Sequence, residues 1–321
     1  MAAVTGPEYS FPPPAGPSAS GRRRSLIAVV VAWLVVVVGL AVWSVRRDPA
    51  TVPEQRSIAQ ALPQLQRAVG VVFAAAGGSG RAVLLGDLKV SHDCQITPVR
   101  AGVTATRDVV VYVRTGEVRA GIEAIAAALP KSYRASLAIG RGGTDYALHA
   151  DAGNFIGVDA DLDSGEHALA LVVSSGCRPP VSGEPDRSDP ATGPAPAALG
   201  AVLAALGAPR TPSGSAGLGA PSVSTPPGGA PSPVVPSGLG GGTPPGVTVE
   251  AVACPRGGTA GTYTVDGVAA PADLGGSLQG VLTGTSVISS GPGAWAYRMG
   301  SDSVVVQVDG KRLRVSASTA C

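Results

Sequence analysis

The chain has 321 residues, among them 45 Gly and 29 Pro, so a good part of it is not packed core, and one or two small domains with linkers fit its length. Charged residues make up 14% and the formal net charge is +2, which leaves no basic field able to track a phosphate backbone and removes nucleic acid from the expected partners. Arg greatly outnumbers Lys and Ala, Gly and Val are abundant, a bias of high-GC actinobacterial genomes that bears on origin and not on function.

Residues 1 to 21 lack any apolar period and carry a PPP run, which predicts a disordered tail. Residues 26 to 45 then form an uncharged apolar run whose twenty residues, at about 1.5 Å each, match a bilayer core. Arg22, Arg23 and Arg24 precede it and Arg46 and Arg47 follow, so residues 22 to 47 read as a transmembrane helix with cationic flanks. A cleaved signal peptide would have a shorter apolar region ending in an A-x-A-like site, and none follows here. The flanking arginines nearly balance and do not orient the helix. All four cysteines lie C-terminal to it, which suits an oxidising compartment on that side. The expectation is a single-pass protein of the cell membrane, N-terminus cytoplasmic, with the lipid bilayer around residues 26 to 45 as its first partner.

Residues 53 to 177 read as a membrane-proximal α+β domain. Ile58, Ala61, Leu62, Leu65, Ala68, Val69, Val72 and Phe73 recur at helical spacing, with Pro63 as a kink or a new first turn. Strands are predicted at 82 to 90, leading into Cys94, and at 108 to 113. A helix capped by Thr115 and stopped by Pro130 comes next, then four strands between 135 and 173, closing at Cys177. Residues 178 to 246 are rich in Pro, Gly and Ser and predict a disordered linker, with only 196 to 206 able to form a transient helix. The linker lets the distal part range away from the first domain.

Residues 247 to 321 read as a distal α+β domain with the same order of elements. A strand enters Cys254, a second strand and a short helix with Pro271 in its first turn follow, and four strands lead to Cys321. The fold class is therefore α+β: one N-terminal transmembrane helix and two small disulfide-bonded domains of mixed or antiparallel sheet, each with a helix on one face. The repeated order, and the shared spacing of Tyr146 to Asp151 and Tyr297 to Asp302, suggest a duplication. Cys94 with Cys177 and Cys254 with Cys321 is the pairing that leaves the linker free of cross-links.

Chemistry is harder to find. His92, His149 and His167 are widely spaced and lack metal-binding company, and His92 and Asp93 beside Cys94 do not make a thiolate pair if that sulfur is oxidised. GGSGR at 77 to 81 and GRGG at 140 to 143 lack the Lys and Ser/Thr of a phosphate loop and read as turns. Asp159, Asp161 and Asp163 resemble the start of a calcium loop, but glycine is one position late and the twelfth position is Ala170. Strand alternation accounts for them better, with Ile156, Val158, Ala160 and Leu162 inward and the aspartates in water. No catalytic residue and no cofactor is expected. The reading is a non-enzymatic, membrane-anchored binding or scaffold protein of the cell envelope whose partner is another envelope protein or a wall polymer. The alternative is an envelope enzyme or ligand sensor with a site assembled from scattered residues such as His149, Asp151 and Asp159 of the 53 to 177 domain.

Overall fold

The computed structural model describes residues 19 to 47, 56 to 140, 145 to 163, 168 to 183, 185 to 208, 246 to 291 and 293 to 321. Most of the expected tail, the segment 209 to 245 and the turn that carries Ser164, Gly165 and Glu166 lie outside the described residues, as does the side chain of Asp163. The chain divides into two compact units, Met1–Thr51 and Val52–Cys321. In the first, helix α1 (Ala19–Arg47) begins inside the expected tail. Its stretch Arg24–Trp43 has a mean hydropathy of 2.9 and none of it is buried against protein, so one described helix is long and apolar enough to cross a membrane.

The second unit opens with α2 (Ile58–Ala76), where the Ser57 N–H donates to Gln60 Oε1 at 3.0 Å and satisfies a first-turn donor. Pro63 is accommodated inside this one helix. Then come β1 (Ala82–Thr97), β2 (Arg100–Tyr112), α3 (Val118–Ala128), β3 (Ser136–Ile139), β4 (Asp145–Asp151), β5 (Gly157–Asp163) and β6 (Ala168–Ser174). The strands form one antiparallel sheet in the order β1-β2-β6-β5-β4-β3. One face is covered by α2 and α3, whose buried Leu62, Leu65, Val69, Ile122 and Ile125 pack with Val109, Val111, Leu148 and Leu171. Helix α3 is preceded by Glu117 as its N-cap, not by Thr115, and no side chain caps it.

The second half repeats this plan with α4 (Ala197–Ala205), β7 (Val247–Ala253), β8 (Thr259–Ala269), α5 (Leu274–Leu282), β9 (Ser286–Ser290), β10 (Ala294–Met299), β11 (Asp302–Asp309) and β12 (Arg312–Ser318). The sheet order β7-β8-β12-β11-β10-β9 is that of the first sheet, strand for strand. The apparent match of Asp151 to Asp302 is not part of the correspondence. Asp151 ends β4 whereas Asp302 begins β11, on the far side of the hairpin turn. Helix α5 starts from Asp273, whose carboxylate accepts from the Gly276 N–H at 2.9 Å, rather than from Pro271.

Two disulfides occupy the same place in each half. Cys94 on β1 is bonded to Cys177 just after β6, and Cys254 just after β7 is bonded to Cys321 just after β12, with Cα separations of 5.8 and 5.4 Å. Gly102 lies opposite Cys94 in the β1–β2 ladder, and a Cβ there would stand 2.3 Å from Cys177 Sγ. The bridge crosses β2 at the one residue type that leaves it room.

The expected linker over 178 to 246 is corrected at its N-terminal end. Residues 178 to 183 and 185 to 208 are described, and although many of them are exposed, Arg178 and the core-facing residues of α4 are buried. Ala198, Leu199, Val202 and Leu203 of α4 are buried among Tyr263, Tyr297 and Val304 of the second half. Helix α4 is apolar on all sides, the pattern of a helix inside a core, and averaging it with its Pro-rich flanks conceals that.

The halves do not range apart; they form one body. Edge strand β1 lies across the inner face of the second sheet, where the Val83 N–H donates to Ser303 Oγ at 3.0 Å and the Leu85 N–H to Thr262 Oγ1 at 2.8 Å. Thr262, Ser318 and Ser303 stand in register on β8, β12 and β11 and are all buried. A row of hydroxyls thus supplies acceptors to an edge that has lost its water. Beside it Ala82, Leu84 and Tyr112 pack against Ile288, Ala296 and Val305, and Gln307 Nε2 donates to Tyr112 Oη at 2.9 Å. Gly70 of α2 comes so near β7 that a Cβ would stand 2.1 Å from the Ala253 carbonyl oxygen, which accounts for a glycine in mid-helix. Thr262→Val keeps the shape and strands the Leu85 N–H. It should lower stability by about 1 to 3 kcal/mol, read as a shift in urea midpoint at constant slope.

Candidate functional site

The residues that sequence reasoning favoured sit on the open face of the first sheet. His149, Asp151, Asp159 and Asp161 alternate outward along β4 and β5, opposite the buried Leu148, Ala150, Val158, Ala160 and Leu162. Asp159 Oδ1 meets His149 Nδ1 at 2.6 Å, and Arg134 Nη2 donates to Asp151 Oδ2 at 2.7 Å. The carboxylate of Asp159 is therefore committed to an imidazole, and alternation spreads the aspartates along a strand rather than around a point. Among the described residues no three His, Cys, Asp or Glu gather to hold a metal. Ser136 lies across the ladder from His149, but its hydroxyl donates to the His149 carbonyl oxygen at 3.3 Å and not to the ring.

Two features missed by sequence reasoning arise where the halves meet. The first is a clamp around Arg107 of β2, which is fully buried. Its Nε donates to the Gly86 carbonyl at 2.8 Å. Its Nη1 donates to Asp189 Oδ1 at 2.8 Å and the Ala251 carbonyl at 3.1 Å, and its Nη2 to Asp189 Oδ2 and Glu250 Oε2, both at 2.7 Å. All five N–H groups of the guanidinium are used, which is the condition for a buried cation to be tolerated. Asp189 also accepts from the Ala251 N–H at 2.6 Å, so a residue of the expected linker joins β2 to β7. Burial pushes the Glu250 carboxyl above its usual value, against the pull of Arg107 and with the charges of Asp189 and Asp87 adding to the rise.

The second is an open cleft of about 550 Å³. The first half contributes the α2–β1 turn with Gly78, Ser79 and Gly80, and Arg114 after β2; the second contributes Gly284, Ser286, Arg298 and Gly300. Arg114 Nη2 reaches Ser286 Oγ across the junction at 3.4 Å, and Arg114 Nη1 stands 3.7 Å from Glu117. Arg298 donates to the carbonyls of Arg81 at 3.2 Å and Ser301 at 2.5 Å. Arg81 donates to those of Ala76 and Gly77 at the C-terminal end of α2. Among the described residues neither Arg81 nor Arg298 is in an ion pair, and burial followed by the charge of Arg298 lowers the pKa of Arg81. A smaller cavity of about 170 Å³ shares Gly78 and Arg298 with this cleft. The GGSGR stretch is indeed a turn, but one that meets two turns of the other half.

These features define a disulfide-bonded α+β protein of two like-folded halves, with an N-terminal helix of membrane-spanning length and apolarity. No family model matches the chain, and no curated protein matches it. The crystal structure of a DUF4853 family protein from Actinomyces odontolyticus ATCC 17982 is similar at 18% identity, covering 43% of this chain and 78% of that one with a TM-score of 0.28. A likeness that loose carries no argument about function.

Proposed function

We propose that the chain is a membrane-anchored binding or scaffold protein of the cell envelope that performs no covalent chemistry, with its N-terminus cytoplasmic and residues 52 to 321 outside. The supporting observation is the make-up of the junction cleft, where guanidinium groups, serine hydroxyls and glycine backbone from both halves offer hydrogen-bond donors to a ligand. Oxidised cysteine pairs suit the extracytoplasmic side, and tethering by α1 raises the effective concentration of the cleft near the membrane. The partner is another envelope protein or a wall polymer. Cross-linking the full chain in intact cells and purifying it under denaturing conditions should recover a partner through residues 52 to 321. A chain that cross-links only through α1, or to nothing, contradicts the reading.

One contact favours the alternative of an envelope enzyme or ligand sensor, the 2.6 Å pair of His149 and Asp159 beside Ser136. A hydrolase built on it needs the Ser136 hydroxyl on the imidazole. A fluorophosphonate probe is expected to leave Ser136 unlabelled, and labelling that disappears in His149→Ala would establish the enzyme in place of the scaffold.

A further inference from the structure

We propose that the junction cleft is a site for a phosphate ester of a polar alcohol, an inference that rests on the binding reading above and adds its ligand. Arg114 and Arg298 line the cleft from opposite halves, and Arg81 stands behind Arg298. A guanidinium has five N–H groups, and those of Arg81 and Arg298 that are engaged among the described residues reach carbonyl oxygens, which leave the positive charge in place. Arg114 is paired with Glu117 at 3.7 Å, so among the described residues the uncompensated charge is that of Arg81 and Arg298, and like charges held together by the fold favour an anion beside them.

The walls narrow the choice of anion. Gly284 and Gly300 have φ of +80° and +63°, and a Cβ at either would meet nothing within 4 Å, so the backbone is open to a ligand on that side. Ser79 and Ser286 add hydroxyls, and no aliphatic or aromatic side chain is among the lining residues, so an acyl chain or a stacked ring gains nothing there. The cleft of about 550 Å³ is far larger than a lone oxyanion, a water in the liquid taking about 30 Å³, and it leaves space for the alcohol beside the charged group. Forked donors arriving from different elements suit the several oxygens of a phosphate better than the two of a carboxylate.

The test uses the full chain in a neutral maltoside micelle, titrated calorimetrically with glycerol 3-phosphate, glycerophosphoglycerol, inorganic phosphate and acetate at matched ionic strength. Saturable binding of a glycerol phosphate ester, tighter than that of inorganic phosphate and with acetate weaker still, is expected, and inorganic phosphate binding as tightly as both esters overturns the ester assignment. Arg298→Gln and Arg114→Gln should each weaken it about tenfold. Arg114 is the safer variant because its side chain is 45% exposed, and the urea midpoint reports whether either has unfolded. The two glycerol esters against inorganic phosphate distinguish an esterified group from the free ion. Absence of saturable phosphate binding, or binding unchanged in a folded Arg114→Gln, overturns the proposal. If a partner is still cross-linked through residues 52 to 321 while phosphate fails, the ligand class falls and the binding reading stands; phosphate binding without any cross-linked partner is the reverse.

Discussion

Arg107→Met should lower the stability of the full chain by about 3 kcal/mol at neutral pH, seen as a fall in urea midpoint. Breaking a buried ion pair on one side costs about 3 to 5 kcal/mol, because the remaining charge is stranded. The lower end applies because Asp189 and Glu250 are 19% and 31% exposed while Arg107 is fully buried. The effect also has a definite pH dependence. Glu250 has a raised pKa in the folded protein, so its protonation contributes stability that is fully present below the unfolded carboxyl value and is lost as pH rises through the folded one. Arg107 is the cause that opposes the rise, and without it the folded pKa climbs further. The loss in Arg107→Met should therefore be smaller at about pH 5 than at pH 7. A loss that does not change with pH would show that the stranded carboxylates are not its source.

The disulfides carry the largest single effects. Each closes a long loop, with sequence separations of 83 for Cys94 to Cys177 and 67 for Cys254 to Cys321, and the chain-entropy model gives about 4.5 kcal/mol for either. Removing one pair as a double alanine variant should cost nearly that much, and removing both should cost about 9 kcal/mol, a large share of the roughly 5 to 15 kcal/mol that a native protein holds. Urea titrations of Cys94→Ala with Cys177→Ala, and of Cys254→Ala with Cys321→Ala, check this. Because the halves share a core, each variant should still unfold in one transition that both halves report, at a lower midpoint. Two separated transitions would mean that each half is stable by itself.

The parts of this fold that are legible in the sequence are those written in local pattern. Helix α1 contains an unbroken apolar run between its arginines, α2 and α3 carry helical stripes, and the strands alternate as half-buried strands do. The outward aspartates of β5 follow from the same alternation, with no calcium loop needed. What remained hidden depends on contacts between residues far apart in the chain. Arg107 precedes Asp108 in a strand that also begins on Arg100, and Asp189 follows Glu184 and Asp186 in a Pro-rich stretch, so nothing local says which charges meet at 2.7 Å. Thr262, Ser303 and Ser318 look like the solvated face of a small sheet, yet that face receives the edge of β1. The one local signal was the polarity itself, since hydroxyls recurring at alternate positions beside valines and alanines fit a buried face that must accept hydrogen bonds. The cleft was hidden for a related reason: its three glycine-bearing turns are unremarkable until the two sheets pack and bring them together.

That packing is the central claim, and amide hydrogen exchange at Val83 and Leu85 tests it most directly. Both N–H groups point away from β2, and their acceptors are Ser303 and Thr262 of the other half. If the halves form one body, both amides exchange only through an opening of the junction and are protected as strongly as the core of β2. Exchange of these two amides at the rate of an open edge strand, with β2 still protected, would mean that the halves are tethered and not joined, and the junction cleft would not exist as a site.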